Sequence, residues 1–302
     1  MNIQNVGKRP GIREAFIARD GRVLAQCDYP TLELYTLAQC CMTTFGESRL
    51  AEALNEGLDP HLWFAAKMLR ITYEEATVRK KDAEIKKKRQ LAKAANFGFP
   101  GGMGAKKFVT ATRKGVMAAA RGEGVDPKQA WADLDLDEER AKSLKQEWFQ
   151  AFPEMAQWFS RADSLKTTED GRGSVESLFT RRFRGQATYC ARCNTPFQGL
   201  AADCAKRAGW LITRAMYVEP TSPLFNCRIV AFVHDEFIAE VPDDERAHDA
   251  AYVMARLMMV GANEYLPDVP IPWTKMEPLL MRRWSKNAQP KFVDGRLVPW
   301  VA

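Results

Sequence analysis

Cys227-Arg-Ile-Val-Ala-Phe-Val-His-Asp-Glu-Phe-Ile-Ala-Glu-Val241 contains two β-rich runs, Cys227 to Val233 and Phe237 to Val241, separated only by His234-Asp235-Glu236. Branched and aromatic residues on both sides of so short an interruption predict a tight hairpin with charge at its tip. Two adjacent carboxylates between apolar strands repel each other and lose hydration unless something cationic joins them. A turn needs only one Asp, so the pair beside a His carries information about chemistry.

Working outward, Ala201 to Tyr217 is amphipathic and helical, and Asp243-Asp244-Glu245 opens a further helix to about Val260, with acids at its positive end. Near the N-terminus, residues 12–18 and 22–28 read as two short strands around the turn Arg19-Asp20-Gly21. From Leu32 the apolar spacing turns helical, and helical patterns continue through 60–69 and 74–99. Residues 100–124 hold much of the glycine and read as loop broken by short helix. Residues 137–161 form another helix pattern that Pro153 should kink or break. The predicted fold class is α+β, a small antiparallel sheet interrupted by a mostly helical block.

Composition excludes several classes. The 302 residues are 46% hydrophobic, 27% charged and 10% aromatic, which rules out global disorder, collagen and coiled coil. No apolar run approaches the ~20 residues of a membrane span, so no membrane partner is expected. The N-terminal Met1-Asn2-Ile3-Gln4-Asn5 lacks the order of a signal peptide, and a soluble, cytoplasmic protein is expected. The net charge of +6 permits a polyanionic partner without demanding one. Seven cysteines in apolar stretches read as reduced, packed thiols; Cys190-Ala-Arg-Cys193 has the spacing of half a zinc site, but no second pair follows. Asp133-x-Asp135-x-Asp137 fails as a calcium loop, because Glu138 and Leu144 stand at the sixth and twelfth positions. It reads as a helix cap.

Three segments carry chemistry. In Asp28-Tyr29-Pro30-Thr31-Leu32-Glu33-Leu34, Asp28 ends an apolar strand and Glu33 lies one turn beyond; taken alone, this is a helix cap. In Lys86 to Gly98, a helix would line up Arg89, Lys93 and Phe97 on one face. Two cations and a terminal ring suit a nucleoside triphosphate, and the alternative is a solvated basic helix with one core Phe. Gly98 directly after that ring suggests close approach of another molecule. The third segment is the hairpin tip. If the strands ending at Asp28 and Asp235 are neighbours, the two carboxylates could clamp two divalent cations ~4 Å apart.

These segments resemble, in order, motifs A, B and C of family A DNA polymerases, the DNA polymerase I type: Asp28-Tyr29-x-x-x-Glu33-Leu34, Arg89-x-x-x-Lys93-x-x-x-Phe97-Gly98 and Val233-His234-Asp235-Glu236. Supporting stretches are Asn2 to Asn5, Ile12 to Phe16, Leu178 to Arg182, Gln198 to Asp203 and Trp284-Ser-Lys286. The resemblance implies a palm over residues 1–40 and 195–302 interrupted by helical fingers over 41–194, the motif B helix covering about 86–99. It implies DNA synthesis from dNTPs on a primer–template with two Mg²⁺ ions. The ions would be held by Asp28, Asp235 and the Tyr29 carbonyl, with Glu236 supporting the site. Arg89 and Lys93 would hold the triphosphate, Lys93 also serving as an acid for pyrophosphate, and Phe97 would stack on the incoming nucleotide. Glu33 would exclude a 2′-hydroxyl, His234 would sit near the primer terminus, and Gln198 and Asn194 would touch the minor groove. Single-subunit RNA polymerases lack the motif A Glu, which favours DNA over RNA synthesis.

The chain also departs from that pattern. Phe99-Pro100-Gly101-Gly102 replaces a Tyr-Gly ending, with Gly101 at the Tyr position and Pro100 expected to stop the helix, a variant that resembles phage enzymes. Phe97 rather than Tyr implies poor use of dideoxynucleotides. Only 27 residues precede Asp28, leaving no thumb or exonuclease, so a split polymerase completed by a second polypeptide is expected. The competing expectation is a weak or inactive nucleic-acid-binding scaffold that kept the polymerase core.

Overall fold

Val23, Leu24, Ala25 and Cys27 are all buried, so strand β1 (Arg22–Asp28) is apolar on both faces, as an interior strand requires. The computed structural model describes Val6 and residues 11–301; the Asn2 to Asn5 stretch lies outside them. After β1 come helices α1 (Leu32–Phe45), α2 (Arg49–Asn55), α3 (Pro60–Leu69), α4 (Tyr73–Val78), α5 (Ala83–Gly98) and α6 (Ala105–Glu123). Then follow α7 (Pro127–Ala132), α8 (Glu138–Ala151), α9 (Glu154–Ser164), strands β2 (Gly173–Glu176) and β3 (Phe183–Ala187), and α10 (Tyr189–Tyr217). The chain ends with β4 (Arg228–Val233), β5 (Glu236–Pro242), α11 (Arg246–Asn263), β6 (Leu279–Met281), β7 (Lys291–Val293) and β8 (Arg296–Trp300). The class is α+β, as predicted. None of the described helices is long and apolar enough to cross a membrane.

Two compact units emerge, Met1–Leu32 with Ala201–Ala302, and Glu33–Leu200. The changeovers fall at 32/33 and 200/201 and the expected ones at 40/41 and 194/195, each pair cutting α1 and α10.

The first unit is built on a six-stranded sheet of order β4-β5-β1-β6-β8-β7, antiparallel except between β6 and β8. Helix α11 covers β1, and the buried Tyr29 hydroxyl donates to the Met258 carbonyl of α11 at 2.8 Å. A Cβ on Gly261 would lie 2.7 Å from the Ala208 nitrogen, so α11 crosses α10 with backbone nearly against backbone.

The second unit is helical apart from the β2–β3 hairpin. Trp148 of α8 packs on Phe99, and Phe152, just past the helix end, packs on Phe64; buried Arg192 satisfies its guanidinium on the carbonyls of Ala162, Gly171 and Ala187 at 2.6–2.9 Å.

Three local expectations are corrected. Residues 12–18 form no strand: the segment turns at Arg13–Phe16 and makes one isolated bridge, Ile17 to Arg283. Both edges of β1 are already taken by β5 and β6, which leaves the segment no place beside it. The pattern over 74–99 is two helices, because Arg79 ties Glu75, Asp82 and Glu84 across a turn. Residues 100–124 are mostly the long helix α6; Gly104 and Gly124 mark its ends, with Gly124 in the left-handed region at φ 72°. The break at Pro153, the hairpin at His234-Asp235, the cap at Asp137 and the helix start after Asp243-Asp244-Glu245 follow the sequence reading.

Candidate active site

The acidic site belongs to the first unit. Asp28 is the last residue of β1 and lies opposite Glu236, the first residue of β5. The two-residue turn His234-Asp235 places Asp235 immediately before that position, with His234 exposed and left-handed at φ 59°. The Tyr29 amide then donates to the Asp235 carbonyl at 3.3 Å, locking the end of β1 to the turn. Asp28 and Asp235 share a side-chain hydrogen bond. Burial pushes the Asp28 carboxyl up to about 8, and the charge and hydrogen bond of Asp235, with the charge of Glu236, push the same way. Two carboxylates this close cannot both ionise unless a cation accompanies them.

Glu236 is turned toward indole. Its Oε1 accepts from Trp284 Nε1 at 3.1 Å, and Trp284 is stacked by Arg13 at 4.4 Å and met edge-on by Phe16 at 5.7 Å. Burial raises the Glu236 carboxyl, while Trp284 and Arg13 oppose the rise. Among the described residues no three His, Cys, Asp or Glu side chains gather as a metal cage. A pair of carboxylates suits Mg²⁺, which is commonly held by one or two carboxylates together with substrate phosphates.

The cationic face belongs to the second unit. Ile85, Leu91, Ala92, Ala95 and Asn96 bury one side of α5, leaving Lys93 and Phe97 exposed on another. Arg89 Nε and Nη2 reach Asp59 Oδ2 at 2.8 and 2.7 Å, while Asp59 Oδ1 caps α3 through the amides of His61 and Leu62. Burial opposes ionisation of Asp59, but Arg89 and the Leu62 amide overcome it and hold the carboxyl below its ordinary range. His61 is buried with its ring 5.4 Å from Phe97, its Nδ1 beside Asn96 Nδ2 at 3.1 Å and its Nε2 without a hydrogen-bond partner among the described residues. Burial pushes its pKa down to about 4; Asp59 opposes this, and Arg89 and Lys93 reinforce it.

Sequence reading missed Asp59 and His61. The Asp59-Pro60-His61 cap was a local signal for a helix start, but nothing local pairs Asp59 with a residue 30 positions on.

The remaining sequence candidates sort out as follows. Helix α5 stops at Gly98 and passes through a 3₁₀ turn, Phe99–Gly101, as Pro100 demands. The close approach at Gly98 comes from the chain itself: a Cβ there would lie 3.2 Å from Met103 Sδ. A Cβ on Gly101 would lie 2.6 Å from the Asn194 side chain, which donates to the Gly101 carbonyl at 3.4 Å and the Cys190 carbonyl at 2.9 Å. Asn194 is thus half-buried against the turn, whereas Gln198, one helical turn on, is exposed and meets Glu33 Oε1 at 3.5 Å. Cys193 is a buried thiol that packs beside Gly102.

The family model described as DNA polymerase family A matches residues 1–275. The chain belongs to DNA polymerase family A. It is 30% identical over 305 residues to the thermostable DNA polymerase I of Thermus filiformis, covering 95% of this chain and 30% of that one. It is 26% identical over 286 residues to DNA polymerase I of Aquifex aeolicus, covering 95% and 43%. Among solved structures it resembles the polymerase domain of Pol1 from M. smegmatis in complex with DNA primer–template and dNTP, at TM-score 0.66 and 24% identity over 94% of this chain and 44% of that one. This family A chain therefore spans less than half the length of these relatives.

Proposed function

We propose that this chain carries out template-directed DNA synthesis, adding dNTPs to a primer 3′ end. One observation carries the reading: Asp28 and Asp235, more than 200 residues apart in sequence, share a hydrogen bond at the ends of paired strands, with Asp28 disfavoured as an anion. A divalent cation is the complement that such a pair lacks, so Asp28 and Asp235, with the Tyr29 carbonyl, would hold Mg²⁺. When bound, two such ions would neutralise charge at the triphosphate and lower the pKa of the attacking hydroxyl. Glu236 would support the site as a nearby carboxylate steadied by Trp284.

The second unit would bind the nucleotide. Lys93 has no carboxylate partner among the described residues, which leaves its charge for a triphosphate and its proton for departing pyrophosphate. Arg89 would share its guanidinium between Asp59 and the phosphates. Phe97 would stack on the base and sugar, with the neutral His61 ring beside it. Glu33, held by Gln198, would occupy the space of a 2′-hydroxyl; His234 would lie near the primer terminus, and Gln198 and Asn194 near the minor groove. In these terms the first unit is the palm and the second the fingers.

Primer extension tests the reading. The expected result is Mg²⁺-dependent incorporation of single dNTPs in preference to rNTPs, abolished by Asp28→Ala or Asp235→Ala. Preference for rNTPs would contradict the role of Glu33, and activity that survives either Asp substitution would contradict the site.

A further inference from the structure

Two thiols of the Glu33–Leu200 unit meet at one glycine, and the chemistry above uses neither. Six of the seven cysteines are buried, and Cys190 alone is half-exposed. It is the second residue of α10, and Cys193 stands three positions on, its neighbour on the helix surface. The Cys190 thiol donates to the Gly102 carbonyl at 3.9 Å, and a Cβ on Gly102 would lie 3.4 Å from Cys193 Sγ. Half-buried Lys145 sets a positive charge beside both thiols, its Nζ held by the Met103 carbonyl at 3.1 Å. Burial pushes the Cys193 thiol up to about 11, against the Tyr189 hydrogen bond and the Arg192 and Lys145 charges. An accessible thiol at a helix N-terminus, close to an ammonium and backed by a buried second thiol, suits an attacking and a resolving cysteine.

We infer that Cys190 and Cys193 form a reversible disulfide that switches off the nucleotide-adding site of this chain under oxidation. The inference rests on the polymerase reading for its consequence, not for the bond. The Cys190 thiolate attacks a low-molecular-weight disulfide, forming a mixed disulfide and releasing one thiolate. Cys193 then attacks the Cys190 sulfur, and the second thiolate leaves. The two cysteine protons end on the two departing thiols; the protein pair loses two electrons and the small disulfide gains them.

Helical geometry dictates the consequence. At this spacing Cβ atoms stand about 5–6 Å apart and a disulfide needs about 3.8 Å, so the turn must tighten by about 2 Å. Arg192 is pinned on the carbonyls of Ala162, Gly171 and Ala187, which anchors Cys193, while the Ala191 amide reaches only the Thr188 hydroxyl at 3.4 Å. The movement falls on Cys190, in the first turn, where amides lack helical partners. Gly102 then loses its thiol contact. At φ 77° it closes the 3₁₀ turn on which α5 ends, so the end of α5 that carries Phe97 shifts.

The test treats the reduced full chain with glutathione disulfide and reads peptide masses without reductant alongside single-nucleotide incorporation. Trypsin cuts after Arg192, so the new bond should join peptides 185–192 and 193–206. Cys204 shares the second peptide, and Cys204→Ser should leave the joined pair in place. Cys193→Ser should stop at one glutathione on Cys190. Incorporation by the oxidised wild type should fall at least about tenfold, within the cost of a ~1 Å misplacement, and return with dithiothreitol. Cys190→Ser should be indifferent to the treatment. A glutathione adduct on Cys190 with no joined peptides overturns the inference, as does a joined chain that incorporates at the reduced rate. An equal loss of activity in Cys190→Ser overturns it too. Joined peptides in a chain that incorporates nothing even when reduced leave the thiol pair standing and fail the polymerase reading.

Discussion

Asp59 holds Arg89 through one carboxylate oxygen and caps helix α3 through the other. The two jobs separate on mutation. Asp59→Ala should lose the cap and cost ~1 kcal/mol in urea unfolding. Asp59→Asn should keep most of that stability, since Asn caps as well as Asp, yet release Arg89 and change KM for dNTP more than kcat. Equal destabilisation by the two variants would show that the cap contributes nothing.

Asp28 is predicted to weaken the metal-free fold at high pH. Its folded pKa of about 8 stands above the ordinary 3.8, so between these values the folded state binds more protons than the unfolded one. Stability is therefore fully present below about pH 4 and is lost as pH rises through 8. In chelator, Asp28→Asn should be the more stable protein at pH 8 by about 1–3 kcal/mol, the scale of an unsatisfied buried polar group. The difference should vanish near pH 4. A pH-independent difference in thermal unfolding would count against the coupled pair.

His61 acts on the opposite limb. Its folded pKa of about 4 lies below the ordinary 6.5, so the unfolded state takes up the proton first. This contribution is intact above about pH 6.5 and is lost as pH falls toward 4. His61→Gln should flatten the acid limb of the stability profile by up to ~3 kcal/mol, at ~1.4 kcal/mol per pKa unit. Unchanged acid sensitivity would mean that another group is responsible.

Trp284→Phe keeps the ring on Arg13 and Phe16 but removes the donor to Glu236 Oε1. Loss of that bond raises the Glu236 carboxyl further and should cost ~1 kcal/mol. The pH–rate profile of nucleotide incorporation should move to higher pH; an unmoved profile would separate Glu236 from the chemistry.

What the sequence made legible was local. The hairpin around His234-Asp235 and the helix bearing Arg89, Lys93 and Phe97 each announce themselves by period and turn chemistry within about fifteen residues. The segment at Ile17 has the alternation of a strand, yet its neighbour in space is Arg283 and β1 is already paired on both edges. Helix α6 is masked in the sequence by its glycines, yet Gly104 and Gly124 mark its ends, and Gly115 and Gly122 have nothing within 4 Å of a would-be Cβ. Asp59 and His61 became visible only when folding set α3 beside α5.

The central claim is that Asp28 and Asp235 act as one cation site, and Mn²⁺ uptake tests it directly. With free Mn²⁺ followed by electron paramagnetic resonance at pH 7.5, the full chain should take up the ion and release protons, because Asp28 is part-protonated there. Asp28→Asn or Asp235→Asn alone should abolish both uptake and proton release. Undiminished Mn²⁺ binding by either single variant would contradict the account.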